Sequence, residues 1–355
     1  MRLFLGLILF INFCFASIIK IIVVGDIMTH KPQIDYAKIN AGYDFSPQFS
    51  NIKDFLKSAD LVVGNFESAS NPNLAYKGYP LFNTPPEIFK ALKDAGFHAL
   101  STANNHALDA GIDGIFSTNE AIKNAGLFSF GTGKQKELIL DVKGVKIALL
   151  SYSYGYNGLE NSISLNEKKF INFLDEDQIQ KDIEKMSKLG ADFIMVFPHW
   201  GVEYQSFSSK SQQILAKKMI NFGVNAVIGN HPHVTQEISW DVQNGFIAYS
   251  CGNFISNQRL ETIKKIQSEQ SVAYEIVVSK DENFTQIVDV YASPLWVNPV
   301  FENGKKTIKV FLANDIMEEN YDKNTTKFLI SNPEIRAKKA YDDFLKKISD
   351  LNASF

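Results

Sequence analysis

The chain has 355 residues, 45% of them hydrophobic and 21% charged, with a formal net charge of −3 at pH 7. That balance excludes a disordered polyelectrolyte and suits one large α/β domain or two smaller ones. No long basic run appears, so nucleic acid is not expected as a partner, and two cysteines leave no basis for a disulfide framework or a cysteine-based zinc cage.

At the amino end Arg2 precedes the apolar run Leu3–Phe15, and Cys14-Phe15-Ala16 offers small residues at the two positions a signal peptidase reads. The expectation is an export signal over residues 1–16 and a periplasmic or other extracytoplasmic location. An uncleaved anchor is the alternative, but the run is short for a spanning helix. Phe13 stands where lipoprotein processing wants a small residue. Cleavage after Ala16 would leave Cys251 as the sole cysteine, read as a small core residue.

Downstream, short apolar runs end in polar residues. Ile21-Ile22-Val23-Val24 leads to Gly25-Asp26, and Leu61-Val62-Val63 to Gly64-Asn65-Phe66-Glu67. Pro47–Ser58 has helical spacing between them. A polar loop, Ser68–Asn83, carries Lys77 and Tyr79 and is placed to touch substrate. Thr84-Pro85-Pro86-Glu87 reads as a capped helix start, with Gly96 as the stop. Ala99-Leu100-Ser101 then leads to Asn104-Asn105-His106, followed by a helix over Asp109–Asn124 and a turn over Gly126–Gly133. Gly131-Thr132-Gly133-Lys134 lacks the spacing of a phosphate loop and is read as part of that turn.

Val145–Ser151 is a strand, Asp175–Leu189 a helix, and Phe193–Phe197 a strand leading to His199-Trp200-Gly201. After a helix over Ser208–Asn221, the strand Val224–Ile228 runs into Gly229-Asn230-His231-Pro232-His233-Val234. From Gly245 the order changes to successive strands over Gly245–Ser250, Val272–Ser279 and Gln286–Leu295. Pro333–Leu351 closes the chain as a charged helix. The pattern predicts a layered β centre flanked by helices, divided as 1–16 signal peptide, 17–300 main domain and 301–355 helical extension.

Asp26, Glu67, Asn105, His199, His231 and His233 all stand at strand ends, where open α/β sheets build their sites. Each alone has a plainer reading. A histidine at a strand end is more often a hydrogen-bonded structural residue, Asp26 could cap a turn, Asn105 could hold a left-handed turn, and His231-Pro232-His233 could be a rigid loop. Co-location favours metal. Two divalent ions about 3.5–4 Å apart, sharing one carboxylate, need about this many protein ligands, and the mixed oxygen and nitrogen set suits manganese, zinc or iron better than calcium. His106 follows a candidate ligand directly and could face a leaving group. His98 is assigned to structure and His30 is left open. Tyr152–Tyr156 is read as packing, with sugar stacking as the alternative.

The order of Gly25-Asp26-Ile27-Met28, Asn65-Phe66-Glu67, Asn104-Asn105-His106-Ala107-Leu108-Asp109, His199-Trp200-Gly201-Val202-Glu203-Tyr204, His231-Pro232-His233-Val234 and Gly252-Asn253-Phe254 resembles the CapA, or poly-γ-glutamate capsule biosynthesis, family over about Ile19 to Ile255. That family is related to calcineurin-like metallophosphoesterases, so the resemblance implies a four-layered αββα sandwich with a dinuclear metal site. It implies metal-ligand positions for Asp26, Asn105, His199, His231 and His233, Glu67 in place of the usual bridging aspartate, and His106 beside the transferred phosphoryl group. Asn65, Glu203 and Asn253, in the same motifs, are expected to bind substrate. One departure stands out. Phosphoesterases carry Asp-x-His at the first motif, whereas Asp26-Ile27-Met28 puts a thioether there, from which a hard divalent ion gains little. The implied function is a metal-dependent hydrolase of phosphoesterase type in envelope or capsular polymer metabolism, acting on an anionic polymer or a phosphoester. The alternative is a non-catalytic accessory protein for binding, synthesis or export of an anionic polymer such as poly-γ-glutamate, working with membrane polymer synthases.

Overall fold

The computed structural model describes residues 16–241, 245–282, 284–321, 326–330 and 332–352. The export signal expected over residues 1–16 lies outside the described residues, Ala16 excepted. Among the described residues no helix is long and apolar enough to cross a membrane.

The strands in chain order begin with β1 (Ser17–Ile27), β2 (Leu61–Phe66), β3 (Ala99–Ser101), β4 (Phe128–Phe130), β5 (Leu138–Val142), β6 (Val145–Ser153), β7 (Phe193–His199) and β8 (Ala226–Ile228). They continue with β9 (Ile238–Asp241), β10 (Gly245–Ala248), β11 (Asn253–Ile255), β12 (Gln270–Lys280), β13 (Thr285–Glu302), β14 (Lys305–Leu312) and β15 (Thr326–Phe328). One sheet runs β14-β13-β12-β1-β2-β3-β4, with β11 against β1 and β15 against β13; the other runs β5-β6-β7-β8-β10-β9. Strands β1 to β4 are mutually parallel, as are β6, β7, β8 and β10. Their carboxyl ends therefore open in common directions within each sheet.

Alternate residues of each strand face opposite sides, and that alternation resolves the layers. Ile21 and Val23 of β1, Val63 of β2 and Ala99 of β3 pack against Leu149, Met195, Ile228 and Phe246 of the second sheet. Ile22, Val24, Val62 and Leu100 face the other way, against Phe49, Leu56, Phe89 and Leu92 from the helices and the 3₁₀ turn outside. On the second sheet Ala148, Leu150, Val196 and Val227 pack against Ile179, Ile183, Met186, Ala216 and Met219 of two outer helices. Helix, sheet, sheet and helix layers follow one another, which is the αββα arrangement. Strands covered on both faces read as continuous apolar runs rather than alternating ones.

Local chemistry explains several helix ends. Asp175 accepts from the Gln178 N–H at the start of Glu176–Lys188, and Ser209 forms a capping box with Gln212 ahead of Lys210–Asn221. Gly96, at φ +117°, ends Glu87–Ala95 in the left-handed conformation. Thr84 is not the cap of that helix: the cap position falls on Pro86, and the Thr84 hydroxyl bonds Ser68 at 2.7 Å. The single helix expected over Pro47–Ser58 is instead a 3₁₀ turn, Ser46–Phe49, and a short helix, Lys53–Lys57. The turn expected over Gly126–Gly133 contains β4, which adds to the edge of β3. Beyond residue 300, β13 and β14 continue the first sheet, and the helix Pro333–Asn352 seats Ala337 and Ala340 against Trp296, Val300 and Phe311.

Candidate metal centre

At the end of β1 the register shifts, bringing Asp26 level with Asn65 of β2 and Asn253 of β11. His199 is the last residue of β7, and Asn230 beside it in the next loop donates its backbone N–H to Pro198 at 3.0 Å. The turn between β8 and the histidine pair requires Gly229. An added Cβ there would lie 2.0 Å from the Tyr249 carbonyl oxygen and 2.6 Å from Trp200 Nε1. His231 and His233 then adopt φ of +97° and +58°, a left-handed backbone that non-glycine residues hold only where the surroundings impose it.

These loops gather the six candidate ligands. Glu67 Oε1 lies 3.6 Å from His199 Nε2 and 3.7 Å from His233 Nε2. His233 Nδ1 lies 3.3 Å from Asp26 Oδ2, and the His231 backbone N–H donates to the same oxygen at 3.2 Å. His199 Nε2 also faces Asn105 Oδ1 at 2.8 Å, while the His231 ring stands 4.8 Å from that of His199. Two groups of three, Asp26–Glu67–His233 and Glu67–His199–His231, each bring their donor atoms within 4.8 Å of one another and have Glu67 in common. Asn65 and Asn253, expected to contact substrate, are buried: Asn65 donates to Asp26 Oδ1 at 2.8 Å, and Asn253 Oδ1 faces His233 Nδ1 at 3.1 Å. Glu203 stays exposed at the rim.

The residues present fit a divalent cation. Both Glu67 oxygens and His231 Nδ1 are buried without a hydrogen-bond partner among the described residues, and an unpaired buried carboxylate is costly. Burial, then the neighbouring Asp26 carboxylate, push Glu67 well above the usual carboxylate range. Burial holds His199 well below the usual imidazole range, and burial with His199 and His233 brings His231 down to about 2. Neutral imidazoles keep lone pairs for a metal, and a cation at Glu67 would favour its charged form. Met28 is buried at 1% exposure and adds only a thioether to the ligand chemistry at this end of β1.

His106 stands at the side of the cluster, its Nδ1 2.7 Å from Asp109 Oδ2 and its ring edge-on to Phe82 at 4.7 Å. The same Asp109 oxygen accepts the Phe82 backbone N–H at 2.6 Å. The sequence expectation placed Asp109 only at a helix start. The three-residue step from His106 was the available signal, and the turn that precedes Gly111–Asn124 folds it back. Tyr152 and Tyr156 are core residues, but Tyr154 between them is half exposed and sits 4.7 Å from the His231 ring. His30, left open above, takes the Asn257 backbone N–H on Nδ1 at 3.2 Å and packs edge-on against Phe82. His98 accepts the Val62 N–H at 3.0 Å, a structural role.

The model of the family described as "Bacterial capsule synthesis protein PGA_cap" matches residues 20–258, from β1 through β11. The chain belongs to this family. Every candidate residue of the PGA_cap site, from Asp26 to Asn253, lies inside the matched span. The capsule biosynthesis protein CapA of Bacillus anthracis is 32% identical over 319 residues, covering 86% of this chain and 73% of that protein. The PGA biosynthesis protein CapA of Bacillus subtilis (strain 168) is 32% identical over 256 residues, covering 66% and 62%. Among solved structures, a calcineurin-like phosphoesterase of Bacillus subtilis matches with a TM-score of 0.47 at 16% identity, over 94% of this chain and 99% of that one.

Proposed function

We propose that this PGA_cap protein is an exported, metal-dependent hydrolase of phosphoesterase type acting in envelope or capsular polymer metabolism. The observation that carries the reading is Glu67, a fully buried carboxylate whose oxygens have no hydrogen-bond partner among the described residues, set between Asp26, His199 and His233. Asp26, Glu67 and His233 would hold one divalent ion, and Glu67, Asn105, His199 and His231 a second. Manganese, zinc or iron fits this set. Such ions, when bound, neutralise charge on a phosphoryl or similar group and lower the pKa of water.

The chain's own groups do the rest. Asp109 occupies His106 Nδ1, which leaves Nε2 as the nitrogen available to a leaving-group oxygen. His106 is assigned proton donation to that oxygen, and Asp109 fixes the ring that donates. Asn65 and Asn253 orient Asp26 and His233, as outer partners of ligands do. The half-exposed Tyr154 offers a ring face beside His231 on which substrate can rest.

The substrate class is an anionic polymer or a phosphoester, the former supported by relatives whose names refer to capsule and PGA biosynthesis. Metal-reconstituted protein assayed on phosphomonoesters, phosphodiesters and γ-glutamyl polymers tests the reading. Metal bound with no turnover on any of them would overturn it.

Met28 supports a second reading. With a buried thioether in place of the motif's histidine, one half of the centre is short of a strong ligand, which suits an accessory protein that binds an anionic envelope polymer, or aids its synthesis or export, without hydrolysing it. Purification from native membranes discriminates: a stable polymer-synthase partner supports the accessory role, and its absence weakens it.

A further inference from the structure

We propose that Glu203 is a metal ligand, adding a carboxylate to the centre from its solvent side, over the pair His231 and His233. The inference rests on the metal reading above and assigns a role to one more residue of the same site.

The position of Glu203 is set by backbone bonds rather than by its own side chain. The loop after β7 is tied to the histidine loop twice: the Trp200 N–H donates to the Asn230 carbonyl at 3.1 Å, and the Tyr204 N–H donates to the Pro232 carbonyl at 2.7 Å. Glu203 lies between those two ties, directly before a residue bonded to the proline that separates the two histidines. Tyr204 itself has φ of +64°, so three non-glycine residues around this contact, Tyr204, His231 and His233, hold left-handed backbone. Such conformations are costly for non-glycine residues and persist where surrounding structure enforces them. The Tyr204 ring lies 6.0 Å from that of His233.

A Glu203 oxygen, a His231 nitrogen and a His233 nitrogen lie within 4.8 Å of one another. Donors around one ion at about 2.0–2.2 Å stand roughly 3–4 Å apart, so a small rotation of the exposed glutamate closes the set. His231 is 4% exposed, and its Nδ1 is buried without a partner. That unsatisfied nitrogen, on the residue that Glu203 shares with the inner set, is a sign that something other than protein belongs beside it. A role as a direct contact for anionic substrate is less suited to Glu203, because two like charges would meet at the mouth. Because Glu203 is exposed while Asp26 and Glu67 are not, it is the carboxylate that can leave the ion to make room for an incoming anion.

The test is Mn²⁺ binding by equilibrium dialysis and titration calorimetry on the purified full chain, comparing wild type with Glu203→Gln and Glu203→His. Glu203→Gln keeps the side-chain size and removes the charge; it is expected to weaken the weaker bound equivalent at least tenfold. Glu203→His supplies a nitrogen donor and is expected to restore it. The metal-free melting temperature should stay unchanged in both, since the residue is at the surface. Wild-type affinity and stoichiometry in Glu203→Gln would overturn the proposal while leaving the inner site intact. A wild type that binds no Mn²⁺, Zn²⁺ or Fe²⁺ would overturn the metal reading itself.

Discussion

His106 Nδ1 and Asp109 Oδ2 are 2.7 Å apart, and the aspartate is further fixed by the Phe82 backbone N–H at 2.6 Å. This pair has one ring orientation available, since Phe82 also packs edge-on against the imidazole. If His106 donates a proton to the leaving group, His106→Gln should lower kcat by about 10²–10⁴. Asp109→Asn, acting through the ring, should lower it by about 10–100-fold with KM little changed. The double variant should lose scarcely more than His106→Gln alone, because the two residues act as a unit. Steady-state kinetics on the best phosphoester substrate checks this, and additive losses would show that Asp109 works independently.

Glu67 yields a prediction in which the sign of a mutation reverses with metal. In the metal-free protein its carboxylate is fully buried beside that of Asp26, so Glu67→Gln should leave thermal stability equal to wild type or raise it. With saturating Mn²⁺, wild type should gain about 2.7 kcal/mol at a free concentration a hundredfold above Kd, and the variant far less. Differential scanning calorimetry with and without chelator reads both halves. A variant less stable than wild type in chelator would show that Glu67 serves the fold directly.

The parts of this molecule legible from sequence are those whose signal is local. Strands β1, β2, β7 and β8 announce themselves because both faces are buried, so their apolar runs are unbroken. Each candidate ligand was visible as the polar residue that ends such a run. Strands β5, β9 and β15 carry a weaker signal because they sit at sheet edges or on a single partner. Tyr154 escaped notice for a different reason: its neighbours Tyr152 and Tyr156 are core residues, and only the chain's turn after β6 sends the middle ring toward His231. The Thr84 cap was a sound local pattern overridden by a tertiary bond to Ser68.

Lys347 gives a pH prediction. It lies on the helix Pro333–Asn352, bonds the carbonyl and hydroxyl of Thr235, and is brought down to about 8 by burial, with Asp343 and Glu237 opposing the shift. A lysine whose folded pKa lies below its unfolded value of about 10.4 binds its proton more readily in the unfolded chain. Its destabilising contribution is therefore full below pH 8 and is relieved as pH rises from about 8 toward the unfolded value. Lys347→Met should flatten that part of the stability curve, measured by urea unfolding at pH 7.5, 8.5 and 9.5. Parallel curves for wild type and variant would mean that the amine is solvated.

The helix that carries Lys347 is also held by Arg336, and here the expected loss is large. Arg336 bonds Glu269, which is 0% exposed and also accepts from Trp296 Nε1 at 3.3 Å and Asn298 Nδ2 at 3.2 Å. A second arm of the guanidinium reaches Glu261 at 2.6 Å. Removing one partner of a buried pair strands the other charge, so Arg336→Ala should destabilise by about 3–5 kcal/mol. The pair itself need not be worth that much, because taking both charges out of water is costly. Arg336→Met with Glu269→Gln should therefore recover most of the loss, since the neutral amide can still accept from Trp296 and no charge remains buried. Denaturant midpoints for the single and double variants separate the two effects. A double variant as unstable as Arg336→Ala would mean that the ion pair, rather than the avoidance of a lone buried carboxylate, holds the carboxyl-terminal helix to the sheet.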